Sequence, residues 1–202
     1  MKPPDDRRAR GPTPPVPDAP VSRWPTVSEG SVEPHGIFDL QTLARRSPRT
    51  GRIGTYKVLR MAPWVNVIAL TPERDVVLIR QYRHGVDAVT LEIPGGLVDP
   101  DEAPEAAALR ELAEETGYAG PAVRRLGEVE PNPAIQDNVC STWLVEGARL
   151  AGAPRPDDGE HIDVELHPLA RVPQLLRDGT IRHALVVAAF QHLWLQRADL
   201  TA

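Results

Sequence analysis

GLVDPDEAPEAAALRELAEETGY, residues 96–118, is the stretch that decides how this chain is read. From about Ala103 to Thr116 it is rich in strong helix formers; Pro104 suits a first helical turn, and Gly117 suits the left-handed position just past the end. On a wheel of ~100° per residue, Glu115 falls about 40° and Glu114 about 60° from Glu111, so the three carboxylates share one arc. Ala106, Leu109, Leu112, Ala113 and Thr116 fall on the opposite side, which predicts a helix packed on a sheet with clustered negative charge turned away from it. Like charges one turn apart repel, and a divalent cation would offset the repulsion. Hard cations such as Mg²⁺ and Mn²⁺ seek carboxylate oxygens and bridge to substrate phosphates. The competing reading is a solvated acidic helix face.

Working outward, VTLEIP (89–94) is a strand candidate that runs into Gly95-Gly96 and then the helix. Paired glycines allow a sharp turn and a close backbone approach to a ligand. No Gly-Lys-Ser/Thr follows, so the loop is not a P-loop. YKVLR (56–60), WVNVIAL (64–70), DVVLIRQYR (75–83), AVRRLGEVE (122–130), NVCSTWLVE (138–146) and HIDVELHPL (161–169) read as further strands. ARVPQLLRDG and RHALVVAAFQHLWLQ (182–196) read as helices. Strands and helices do not alternate regularly, which points to an α/β class with a mixed sheet flanked by helices. Residues 1–34 hold nine of the 22 prolines and read as a largely disordered or extended N-terminal segment, leaving 35–202 as the single folded domain. Trp64, Trp143 and Trp194 lie in apolar patterns and read as core.

The chain has 202 residues, 41% apolar and 25% charged, enough for one domain with a large core. Its net charge of −5 argues against general nucleic-acid or acidic-membrane binding. No apolar run approaches the ~18 residues of a membrane span, and the N-terminus lacks the layout of a signal peptide. The lone cysteine, Cys140, excludes an intramolecular disulfide and a cysteine-rich zinc site, and fits a reducing, cytoplasmic setting.

The 96–118 stretch resembles the Nudix box, the signature of the Nudix hydrolases, with Gly96, Glu102, Arg110, Glu111, Leu112, Glu114, Glu115 and Gly117 in register. Tyr118 departs from the bulky aliphatic usual there, a packing position. The resemblance implies an α/β/α sandwich with a mixed β-sheet from about Ile37 to Leu195. It also implies metal-dependent cleavage of a nucleoside diphosphate linked to another group. In the family the first and last glutamates of the Arg-Glu-x-x-Glu-Glu part bind metal. That nominates Glu111 and Glu115, with Glu114 close behind and the Gly95 carbonyl as a further ligand. Glu102 and Arg110 pair in family members and orient the helix.

Members similar to ADP-ribose pyrophosphatases take a base or extra ligand from an acidic loop after the box, here PDDGEHIDVE (156–165). Glu160 is the first choice and Asp158 the second. Pro133, 16 residues beyond Gly117, matches a proline marker of that group. The last arginine of LIRQYR, Arg83, corresponds to one that reaches the substrate diphosphate, and arginine suits that contact. Trp24 is a candidate to stack on the base, as N-terminal aromatics do in related enzymes, sometimes from a dimer partner. NPAIQDNVC (132–140) looks more like enzymes acting on several nucleoside-diphosphate sugars. The expectation is therefore a Mg²⁺- or Mn²⁺-dependent hydrolase of ADP-ribose or a related nucleotide sugar, homodimeric by family resemblance. The alternatives are a nucleoside triphosphate pyrophosphohydrolase and a non-catalytic Nudix-like sensor.

Overall fold

The computed structural model describes residues 21–156, 159 and 161–200. In chain order the elements are β1 (Thr26–Pro34), β2 (Asp39–Arg46), β3 (Ile53–Arg60), β4 (Trp64–Leu70), β5 (Asp75–Arg83), β6 (Ala88–Glu92), β7 (Gly95–Leu97), α1 (Pro104–Thr116), β8 (Tyr118–Ala119), β9 (Val123–Val129), β10 (Cys140–Glu146), β11 (Arg149–Leu150), β12 (Ile162–Pro168), α2 (Val172–Arg177) and α3 (Ala184–Gln196). The main sheet runs β12-β5-β4-β10-β9, with β6 added on β5 and β7 on β4. β4 and β10 are parallel; the other pairings are antiparallel, so the sheet is mixed as expected.

β4 shows why. Its WVNVIAL run is apolar on both faces because both faces are covered. Val65, Val67 and Ala69 pack with Ala107, Ala108 and Leu112 of α1. Ile68 and Leu70 turn the other way, into a core with Phe190 and Leu193 of α3 and Leu175 of α2. Two apolar layers back to back on one sheet make the α/β/α sandwich. Trp143 is buried and Trp194 packs against the core.

α1 starts after Ala103 with Pro104 in its first turn. It ends at Gly117, φ 73°, whose N–H donates to the Ala113 carbonyl at 2.8 Å. A β-carbon at Gly117 would also lie 2.2 Å from the Gly152 carbonyl oxygen, so the position demands glycine twice over.

The structure corrects the expected facing of α1. Its buried residues are Ala107, Ala108, Leu112, Glu115 and Thr116, whereas Ala106 and Ala113 are exposed. The helix is rotated so that the arc carrying Glu111 and Glu115 meets the sheet at its edge, instead of pointing away from it. Glu115 is only 2% exposed. Alanine at 107 and 108 makes this close approach possible, since neither side chain extends past the β-carbon.

The N-terminal region also differs in detail. Thr26–Pro34 lies within the segment read as disordered or extended; it is extended, and it pairs with β2 as one edge of a three-stranded antiparallel sheet β1-β2-β3. β1 is exposed along its whole length, so no apolar alternation marked it in the sequence. This small sheet joins the main body through the 132–137 turn: Leu59 N–H donates to the Ile135 carbonyl at 2.8 Å, and Arg60 reaches Asp137 at 2.7 Å.

β7 places Gly95 opposite Asn66 of β4. A β-carbon there would sit 2.3 Å from the Val65 carbonyl oxygen and 2.8 Å from the Asn66 Cα, both backbone atoms that cannot step aside. Gly95→Ala is therefore expected to cost about 3 kcal/mol of stability, measured by urea unfolding; an unchanged midpoint would show that β7 can shift without penalty.

Candidate active site

β4, β6, β7, α1 and the start of α3 enclose a cavity of about 990 Å³. One wall is acidic. Glu111, Glu114 and Glu115 of α1 line it, together with Gly95 and Gly96. Glu115 Oε2 accepts the Gly95 N–H at 2.8 Å, which ties the helix to the glycine loop. A β-carbon on Gly96 would come within 2.4 Å of Glu111 Oε1, so the second glycine leaves room for that carboxylate.

Arg110 organises the same wall. Its Nε and NH2 donate to the two Glu102 oxygens at 3.0 and 2.9 Å, a bidentate fork. Its NH1 donates to Glu111 Oε1 at 2.8 Å and Glu114 Oε2 at 3.1 Å, and its NH2 also to the Leu97 carbonyl at 3.0 Å. The hydrogen bonds to Glu102, and then those to Glu111 and Glu114, push the guanidinium's ionisation further up despite partial burial. The same fork holds the Glu102 carboxyl below its ordinary value. Among the described residues no three His, Cys, Asp or Glu side chains converge as a ready metal set. Arg110 NH1 lies between Glu111 and Glu114 and draws both carboxylates to itself. The donors available on this wall are all oxygens: three carboxylates and the Gly95 backbone carbonyl. That set suits a hard divalent cation and fits neither a soft metal nor a cluster.

The second wall is where the sequence reading was incomplete. Arg83, expected as an open fork for phosphate, spends its Nε and NH2 on Glu92 at 3.0 and 2.8 Å. Glu92, from the end of β6, is 2% exposed. Burial pushes its carboxyl up, but the Arg83 and Thr90 hydrogen bonds prevail and hold it below the ordinary value. His183, at the N-cap of α3, places Nδ1 3.8 Å from Glu92 Oε2. Burial lowers its ionisation more than Glu92 raises it, which favours the neutral ring. Glu92 and His183 went unnoticed in the sequence. The signal available for Glu92 was a charged residue inside an apolar strand run directly before the glycine pair. His183 carried none.

Trp64, read as core, is half-buried and lines this cavity, as does Cys140. Burial, and then the nearby Glu128 charge, push the Cys140 thiol up to about 12, so it is no thiolate nucleophile at neutral pH. Trp24, the candidate for base stacking, does not line the cavity, and neither does the marker Pro133. Trp24 sits edge-on against Tyr56, ring centroids 5.9 Å apart, and Pro133 lies exposed in the turn before β10. Glu160 and Asp158 fall outside the described residues. The chain before them is anchored, with Arg155 N–H donating to the Glu114 carbonyl at 2.6 Å and Ala151 N–H to that of Gly117 at 2.8 Å. After them, β12 pairs with β5 from Ile162 opposite Gln81.

Residues 61–190 match the model of the NUDIX domain family. The chain belongs to the Nudix family. It is 28% identical over 174 residues to the ADP-ribose pyrophosphatase of Bacillus subtilis (strain 168), covering 86% of this chain and 94% of that one. It is 31% identical over 149 residues to the methanol dehydrogenase activator of Bacillus methanolicus, covering 73% and 80% of the two chains. A crystal structure of an ADP compounds hydrolase superposes with a TM-score of 0.78 at 20% identity, over 90% of this Nudix chain and 97% of the other, which shows the shared fold.

Proposed function

We propose that this Nudix protein hydrolyses the diphosphate bond of ADP-ribose or a related nucleoside-diphosphate sugar, yielding a nucleoside monophosphate and a sugar phosphate. The observation that carries the reading is one cavity bounded by the Glu111, Glu114, Glu115 and Gly95-Gly96 wall on one side and the Arg83–Glu92 pair on the other. Similarity to proteins named ADP-ribose pyrophosphatase and GDP-mannose pyrophosphatase supports the substrate class.

Glu111, Glu114, Glu115 and the Gly95 carbonyl would hold the Mg²⁺ or Mn²⁺. When bound, such ions neutralise phosphate oxygens and make water a better nucleophile at neutral pH. Arg110 holds Glu111 and Glu114 in place from Glu102. Arg83 meets the diphosphate from the opposite wall. Water attacks phosphorus and the anhydride P–O bond breaks; its proton passes to a carboxylate of the 156–165 loop, Glu160 first and Asp158 second. No covalent step through Cys140 is invoked. We further propose a homodimer in the cytoplasm. The apolar residues Val27, Val32, Ile53 and Tyr56, exposed on the small sheet, and Trp24 just before it favour a partner there, and the one cysteine suits a reducing compartment. In such a dimer Trp24 could serve the partner's base site.

The test is a product panel of nucleotide sugars, dinucleotides and triphosphates with Mg²⁺ and Mn²⁺. ADP-ribose is expected to give AMP and ribose 5-phosphate, with label from H₂¹⁸O in one phosphate product and not on ribose carbon. A nucleoside triphosphate releasing pyrophosphate with a kcat/KM tenfold higher, about 1.4 kcal/mol, would overturn the substrate class. Tight binding without turnover would point to a sensor.

A further inference from the structure

Glu92 lies outside the Nudix box, yet it is among the most deeply buried charges of the described chain. A buried carboxylate is tolerated only when its oxygens are satisfied. Those of Glu92 are engaged by Arg83 of β5 and Thr90 of its own strand, with His183 nearby. Oε1 accepts Arg83 Nε at 3.0 Å and the Thr90 hydroxyl at 2.6 Å; Oε2 accepts Arg83 NH2 at 2.8 Å and lies 3.8 Å from His183 Nδ1. The exposures divide sharply. The Glu92 side chain is 2% accessible, against 40% for Arg83 and 36% for His183. Glu92 lines the cavity but offers almost no surface to a ligand, while Arg83 and His183 open onto the same cavity.

Stability alone does not explain the arrangement. An apolar residue between Leu91 and Ile93, both buried, would serve the core as well as an ion pair whose desolvation must be offset. What the carboxylate adds is direction. The bidentate fork fixes the plane of the Arg83 guanidinium before substrate arrives.

We infer that Glu92 is a positioning residue that locks Arg83 into a preorganised orientation for the substrate's anionic diphosphate, and so governs substrate affinity more than turnover. The inference rests on the reading that this cavity takes a nucleoside-diphosphate sugar. It assigns a role in that site to a residue that the Nudix box does not contain.

The experiment measures ADP-ribose binding calorimetrically in EDTA, where turnover is blocked, and steady-state KM and kcat with saturating Mg²⁺. The proteins are the full chain, Glu92→Gln, Arg83→Lys and the double variant. Each single variant is expected to weaken binding and raise KM by about tenfold, with kcat within about threefold. The double variant is expected to be no worse than the weaker single, because both act through one unit. Additive losses in the double, or a fall in kcat with KM unchanged, would overturn the inference. Should Glu92→Gln fail to fold, Glu92→Asp, which keeps the charge but shortens the side chain, makes the same cycle with Arg83→Lys; strict additivity between them is again fatal. A wild-type chain that neither binds nor cuts ADP-ribose sinks the functional reading and this inference with it. Wild-type turnover combined with normal binding by Glu92→Gln sinks this inference alone.

Discussion

Glu115→Gln is expected to leave the protein folded and to lower kcat for ADP-ribose by about a thousandfold, or roughly 4 kcal/mol of transition-state stabilisation. Glu115 is buried, so its replacement must keep volume and the Gly95 contact. Glutamine does both, since its amide oxygen can still accept the Gly95 N–H. It removes a charge from a wall where Glu111 and Glu114 repel it, so stability should not fall much. What is lost is a negative oxygen for the cation. Circular dichroism and a urea midpoint establish the fold, and a discontinuous assay of AMP gives the rate. Near-normal turnover in the folded variant would take Glu115 out of the metal-binding set.

Exhaustive chelation is expected to suppress ADP-ribose hydrolysis by a thousandfold or more, with recovery on adding Mg²⁺ or Mn²⁺. Without a cation, Arg110 is the counter-charge for Glu111 and Glu114, and it cannot also neutralise a diphosphate. A cation that binds the folded chain alone should also raise its melting temperature. The linkage is about 2.7 kcal/mol at a hundred times Kd. Calorimetric scans with and without Mg²⁺, on wild type and Glu111→Gln, check that the shift arises at this wall. Unimpaired hydrolysis after chelation would overturn the metal-dependent mechanism.

The helix and its carboxylates were readable because everything that specifies them is local. Pro104, Gly117 and the Ala/Leu/Glu run act within a few residues, and the spacing of Glu111, Glu114 and Glu115 places them on one arc in any α-helix. The same holds for β4, β5 and β10, whose apolar runs are bounded by turn residues, and for β12, whose residues alternate apolar and polar. β1 was not readable as a strand because its state comes from the ladder with β2 and from no burial of its own.

Around the site, the sequence by itself determined which groups are present: three carboxylates in register, a glycine pair before them, and Arg110 with Glu102 to hold them. Tertiary structure alone decided how they face. Helical periodicity sets angles between residues but not the rotation of the helix on the sheet, and close packing at Ala107 and Ala108 turned Glu115 inward. It likewise closed the Arg83 fork on Glu92 through the antiparallel β5–β6 register and brought His183 beside them from the far end of the chain. Such partnerships are fixed by where the chain folds back on itself, and a buried charge selects its counter-charges by distance in space.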